Sequence, residues 1–405
     1  MFSVAVVGLL WSGSLAVHGV PADQTYCIRL ADGSEKSGGP AALDPRKGVS
    51  LPGGESWSLE QIVELRFPGQ GALPSVPPSA AVHLHDGSFL VGAAIGGDDL
   101  HLVFELPGGP RAPINVDALY ALFLGDGAER RDLALYTRRG ETDILYRRRG
   151  GTRADFTTGT LLAFGEGELE FNYSLGDGSF PLSEVEGLIL SMQLDLPDRE
   201  GVQVDVDLWP DGSIQGEWVE IDANHLSLRP LFAEEALKIP RSSVRGLRPR
   251  GGTHRWLSDV DASRVVETPF IGGDDLFLFP YRRDRSVTGQ PLQVAGRRYA
   301  KGLGCHARTR LEYDLAALGS PSRFVADVGV ADEVLGLADR GAVQFVVLLD
   351  GTEVARTSTL RAGDAAVRVG PIQLQGHSTM TLLTDFAEGG DVADRAVWGS
   401  PLLFR

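Results

Sequence analysis

The 405-residue chain is poor in sulfur: two cysteines, Cys27 and Cys305, and three methionines. No C-x-x-C occurs, which excludes a thiolate-built structural zinc site. A Cys27–Cys305 disulfide stays open from sequence alone, and two separate thiols in different domains is the preferred reading. Basic charge is also short, with 38 Lys and Arg against 54 Asp and Glu and a formal net charge of -16. That balance argues against nucleic acid as a partner, and the local run Arg147-Arg148-Arg149 reads as a solvated face. Beyond the N-terminus there is no apolar run long enough to span a membrane. Long amphipathic periodicity is missing too, and so are G-x-S-x-G, H-E-x-x-H and a phosphate loop.

What is abundant is the vocabulary of short strands. Hydrophobic residues make up 43%, enough for real cores, and 51 glycines and 23 prolines supply turns. The N-terminus has an apolar run from Phe2 to about Trp11, then Val20-Pro21-Ala22. This fits a signal peptide over residues 1–22 with cleavage after Ala22, although no Lys or Arg precedes the apolar run. The expectation is an exported protein, periplasmic or at the cell surface, that does not span the membrane.

A loose repeat runs through the first 250 residues. The stretches beginning at Val82 and Val206 each open on a strand and an Asp-Gly turn, Asp86-Gly87 and Asp211-Gly212. Asp-Gly suits tight hairpins because both residues tolerate positive φ. A glycine follows (Gly92, Gly216), then an alternating strand, then a short closing segment such as Ile239–Val244. Another copy ends on Pro181–Val185, and a weaker first one has Asp32-Gly33 and ends on Ser58–Ile62. The boundaries expected are 23–68, 80–126, 131–192 and 200–250, each a small antiparallel barrel or meander. From 255 to 405 the texture changes to longer alternations such as "RLEYDL" and "AVQFVVLLDG", which predict a sandwich. The fold class is all-β.

Tyr299–Leu315 contains Gly302-x-Gly304-x-x-Ala307, a form of the dinucleotide fingerprint, and Cys305 beside His306. A cofactor loop must open a helix. Here Leu311, Tyr313 and Leu315 alternate with polar residues, so a strand follows and the nucleotide reading fails. Adjacent strand residues point to opposite faces, so Cys305 and His306 form no dyad. Cys305 reads as a buried structural thiol, and His306 as either a structural hydrogen-bonder or a ligand contact. His83, His85 and His101 are metal-capable in type but lack a longer ligand pattern. Near the C-terminus Asp385, Glu388, Asp391 and Asp394 gather by Trp398. Hard oxygen ligands in such loops suit calcium, and an aromatic plate beside carboxylates suits sugars. The alternative is Trp398 in the core and the acids in solvent.

Those residues support a resemblance. "WLSDVDASRV" from Trp256, "GQPLQVAGRRYAKGLGCHARTRLEYDL" from Gly289, "FVADVGVADE" from Phe324, "VQFVVLLDGTEVARTS" from Val343 and the stretch from Val369 to Leu403 together resemble the NPCBM family, a group of carbohydrate-binding-module domains. The resemblance implies a jelly-roll-like β-sandwich, binding of galactose-type sugars and a bound calcium ion. The chain departs from the family pattern at Ala331, Arg395 and Val397. The expectation is therefore a non-enzymatic carbohydrate-binding protein whose β-repeats present the module or meet protein partners. Ligand contacts are expected at His306, Arg308, Asp394, Arg395 and Trp398, with Trp398 stacking on the sugar. Calcium is expected at Asp385, Asp391 and Asp394. A glycoside hydrolase with its catalytic part in residues 23–250, and a structural protein without sugar binding, are the alternatives.

Overall fold

The computed structural model describes residues 25–39, 42–67, 79–128, 142–148, 155–191, 200–270, 279–338, 341–387 and 390–405. The expected leader, Arg149, Glu388 and residues 131–141 of the third expected repeat lie outside these. Among the described residues no helix is long and apolar enough to cross a membrane, and the only helical segments are short 3₁₀ turns.

One order of elements recurs along the first 250 residues. In the second unit, strands Ala80–Leu84, Phe89–Gly97, His101–Glu105 and Arg111–Asn115 form a meander. A 3₁₀ turn, Val116–Ala118, then carries the chain back, so that Leu119–Leu124 pairs with the opening strand. Leu182–Glu184 and Arg241–Ser243 do the same for Val185–Ile189 and Val244–Pro249, which pair with Asp143–Arg147 and Gln203–Leu208. In the first unit Leu59–Gln61 returns Ile62–Arg66 to Tyr26–Leu30. The long second strand needs a glycine for a steric reason. A Cβ at Gly92, Gly159 or Gly216 would sit 2.1, 1.9 or 2.4 Å from a carbonyl oxygen of the next strand.

Each unit is too small to bury a sufficient core alone, and the units share sheet edges. The closing strands of the second and third pair with one another (Ala121↔Ile189), as do those of the fourth and first (Gly246↔Arg66). One apolar cluster, from Tyr26 to Leu247, runs through all four.

The C-terminal part is two antiparallel sheets. Arg395–Phe404 lies between Gly302–His306 and Arg323–Val330 in one. Thr379–Phe386 lies between Thr309–Asp314 and Ala342–Leu349 in the other. Leu303, Cys305, Tyr313, Phe345, Leu382 and Trp398 fill the space between them. The outer face of the first sheet is covered as well. The hairpin Leu292–Val294 and Arg297–Tyr299 lies against Val397, and Val63 of the first unit joins Val325, Leu402 and Phe404. The loop Asp350-Gly351 turns with positive φ at both residues, 47° and 82°, as a tight hairpin requires. The two cysteines are free, Cys27 in the first unit and Cys305 in the sandwich core.

Charge also joins the two halves. The Arg29 guanidinium, 2% exposed, donates at 2.9 Å to both Asp327 and Glu35. Arg368 donates to Asp327 at 2.5 Å, and Arg297 stands 3.4 Å from it. Burial alone would raise the Glu35 carboxyl, but Arg29, Arg66 and Arg297 hold it at about 2.

Acid should weaken the fold in two stages. Burial, with Arg285 adding to it, pushes His83 down to about 4; burial does the same to His254, opposed by Asp259. Both imidazoles are neutral when folded and titrate near 6.5 when unfolded, so the unfolded chain binds more protons between those values. Stability is then full above about pH 6.5 and falls toward pH 4, by about 3 kcal/mol for His83. The Glu35 contribution is lost only lower, between its ordinary 4.5 and about 2. Thermal melts across pH 7 to 4 should show the first fall, and His83→Asn should flatten it. An unchanged slope in that variant would remove His83 from the account.

Candidate functional site

Four polar-ended segments meet at one end of the sandwich. The chain leaves the first sheet at His306, passes Ala307-Arg308 and enters the second at Thr309. Beside it runs Arg264–Glu267, which pairs with Thr309–Asp314 and continues into Thr268 and Phe270. Thr268 and Arg308 exchange backbone hydrogen bonds, with N···O distances of 2.9 and 3.3 Å. Asp385 ends a third strand, and Arg356 ends the hairpin Ala342–Leu349 and Thr352–Arg356.

Arg308 is 48% exposed, and its Nε lies 3.1 Å from Asp385 Oδ1, with Nη2 3.5 Å from Oδ2. Arg356 approaches the same carboxylate to 4.0 Å, and donates to Gln344 at 2.9 Å and to Glu353 at 2.7 Å. Two residues beyond Thr268 stands Phe270, 53% exposed. Its ring meets Phe386 edge to face at 5.3 Å, and its backbone N–H donates to Asp391 Oδ2 at 3.0 Å. Phe270 is thereby held from behind with one face toward solvent. This end of the sandwich thus carries an exposed aromatic ring and, on neighbouring strands, a guanidinium–carboxylate pair; a ring can stack on apolar C–H faces and such a pair can bond hydroxyls.

Below this face, His306 stacks on Phe279 with centroids 5.1 Å apart, and Arg395 sits 5.3 Å from the same ring. Burial holds His306 below its usual range, and its Nδ1 lies 2.8 Å from the Ala307 carbonyl. Arg395 Nη1 is 3.6 Å from Glu333.

Two expected contacts are corrected. Trp398 is 0% exposed: its indole donates to Thr384 Oγ1 at 3.0 Å and meets Phe345 edge to face. It cannot stack on a sugar. Asp394 is 1% exposed, and its Oδ1 accepts the Ala342 N–H at 2.6 Å, pinning the start of a neighbouring strand. His306, 6% exposed, is a structural side chain of the same kind. Of the ligand set, Arg308 alone lies well exposed, with Arg395 half-buried behind it.

The expected calcium ligands do not fit that ion. Asp385 faces two guanidinium groups, Asp391 accepts from a backbone N–H, and Asp394 is turned inward. Among the described residues no group of three or more His, Cys, Asp or Glu side chains is placed to hold a metal. The same holds for His83, His85 and His101, whose rings lie respectively on Phe89 and Phe123, on Tyr120, and beside Asp98.

Sequence reading missed Phe270, Phe279 and Arg356. The one available signal for Phe270 was an apolar residue just past the end of a strand that alternates, and it is weak.

Residues 253–403 match the NPCBM/NEW2 domain. The C-terminal sandwich is an NPCBM/NEW2 domain. No curated protein sequence matches the chain. Among solved structures, the chain is similar to the CBM51 of Clostridium perfringens GH95 in complex with methyl-galactose, at 22% identity and TM-score 0.32. That match covers 37% of this chain and 99% of that one. It is also similar to the CBM51-2 and INT domains of Clostridium perfringens ZmpB, in complex with GlcNAc, at 18% identity and TM-score 0.32. There the match covers 50% of this chain and 40% of that one. A third similarity is to the tandem CBM51 modules of a family 98 glycoside hydrolase from Streptococcus pneumoniae, at 12% identity and TM-score 0.31, covering 76% and 87%. Outside the NPCBM/NEW2 domain, residues 25–249 carry the four β-units described above.

Proposed function

We propose that the protein binds glycans at the end of its NPCBM/NEW2 sandwich, as an exported, non-enzymatic protein whose β-units present that domain. The observation that carries this reading is the exposed Phe270 ring at the same end of the sandwich as the exposed Arg308–Asp385 pair. Phe270 stacks on the sugar ring, and the free edges of Arg308 and Asp385 bond its hydroxyls. Galactose-type sugars are the first class to try, on the strength of the family resemblance.

Glycan-array binding by the full chain tests it. Phe270→Ala and Arg308→Ala are each expected to weaken binding about tenfold or more, the equivalent of about 1.4 kcal/mol, with melting temperature unchanged because both side chains are exposed. Binding to no glycan, or binding indifferent to both substitutions, would overturn the proposal.

A further inference from the structure

Where the second and fourth β-units meet the sandwich, they border a half-open cavity of about 220 Å³. It opens beside a wider cleft of about 840 Å³ that shares Asp205, Arg283 and Lys301 with it. Most of its charges are matched. Asp207 holds Arg248 at 2.8 Å, and Asp284 holds Lys301 at 2.5 Å. Around Asp211 the matching fails. That one carboxylate is shared by Arg285, at 2.7 Å, and Arg298. A third guanidinium, Arg245, lines the same wall and draws on Asp207 and Asp211, which Arg248, Arg285 and Arg298 already occupy. Its guanidinium lies 5.4 Å from the Trp209 ring, and its buried Nη1 has no hydrogen-bond partner.

Arg245, Arg248, Arg285 and Arg298 outnumber Asp207 and Asp211 on this half-open wall, which leaves positive charge in excess where water is partly excluded. Burial, with Arg245 and Arg285 adding to it and Asp211 and Asp207 opposing, pushes Arg298 down to about 10. His83, on the same wall, is neutral above about pH 4 and adds no charge. The missing component is an anion. Guanidinium forks match the oxygens of carboxylates, sulfates and phosphates in pairs.

We propose that this cavity is an oxyanion site, with Arg245, Arg285 and Arg298 as its donors. It is separate from the sandwich-end face and does not rest on the glycan reading there. The oxyanion comes either as a free inorganic ion or as the acidic group of a sugar whose remainder lies in the adjoining cleft. Arg245 belongs to the fourth unit and Arg285 and Arg298 to the sandwich, so the bound ion ties the two halves together.

Thermal melts of the full chain in rising inorganic phosphate, with chloride at matched ionic strength as the reference, test this. The melting temperature should climb with the logarithm of phosphate concentration and stay level in chloride, as binding to the folded state alone requires. Arg245→Met should abolish the climb, while Arg229→Met, at an ion pair with Glu217 on the same unit, should keep it. Should Arg245→Met fail to fold, Asp211→Asn gives the opposite sign: removing the competing carboxylate should steepen the climb. Titrating glucuronate against phosphate assigns the source, since tighter glucuronate binding means a glycan acid and tighter phosphate binding a free ion. Absence of any climb with either probe, or a climb that survives Arg245→Met, overturns the site.

Discussion

Trp398→Ala is expected to unfold the C-terminal sandwich rather than to blunt sugar binding on an intact one. The side chain is 0% exposed, bonds Thr384 and packs against Phe345 between the two sheets. Truncating a fully buried tryptophan removes its transfer free energy and leaves a cavity the neighbours fill only in part, together about 3–5 kcal/mol. The Thr384 hydroxyl, also fully buried, loses its donor. Chemical denaturation should therefore show a large fall in midpoint. Trp398→Phe should recover part of it, since the ring is kept while the hydrogen bond is not. A sugar-stacking tryptophan would behave in the reverse way, with stability preserved and binding lost, and that outcome would restore the role the sequence suggested.

Asp327→Ala should have an effect of similar size by a different route. Asp327 is 5% exposed and stands among Arg29, Arg297 and Arg368, with Glu35 and Glu64 the other carboxylates near Arg29. Removing it takes one of the three carboxylates that compensate Arg29 in a site closed to water. Breaking a buried pair from one side costs about 3–5 kcal/mol. Because Arg29 belongs to the first β-unit and Asp327 to the sandwich, the loss falls on the junction. Calorimetry should show one transition for the native chain and two for the variant, with the β-units and the sandwich melting apart. A single transition at the native temperature would mean that the apolar contacts of Val63 and Ala31 with Trp256, Val325 and Phe404 hold the junction without it.

Much of the architecture was legible because local chemistry imposes it. Asp86-Gly87, Asp211-Gly212 and Asp350-Gly351 each join two strands, with positive φ at the three glycines and at Asp350. Leu311, Tyr313 and Leu315 point into the core as their period-two spacing indicated. Gly302 and Gly304, which resembled a nucleotide loop, sit where a Cβ would lie 2.5 Å from Leu292 Cδ1 and 2.3 Å from the Arg285 carbonyl oxygen. Close backbone approach is their purpose. The site was far less legible. Alternation tells inner from outer face only where one face meets water, and Arg395–Phe404 is buried along nearly its whole length on both faces. Nothing local in "DRAVWGSPLL" distinguishes a tryptophan turned to solvent from one turned to Phe345.

By itself, then, the sequence determined an all-β chain, hairpins at its Asp-Gly pairs, and an NPCBM-type sandwich at its C-terminus, because turn chemistry and side-chain alternation act over a few residues. Tertiary structure alone decided which aromatic ring is exposed, which carboxylates are occupied by arginine, and where guanidinium groups outnumber the carboxylates beside them. Arg29 meets Asp327 across 298 positions of chain, and Arg298 meets Asp211 across 87. Contacts at such separations depend on how whole sheets stack, and no local pattern encodes that.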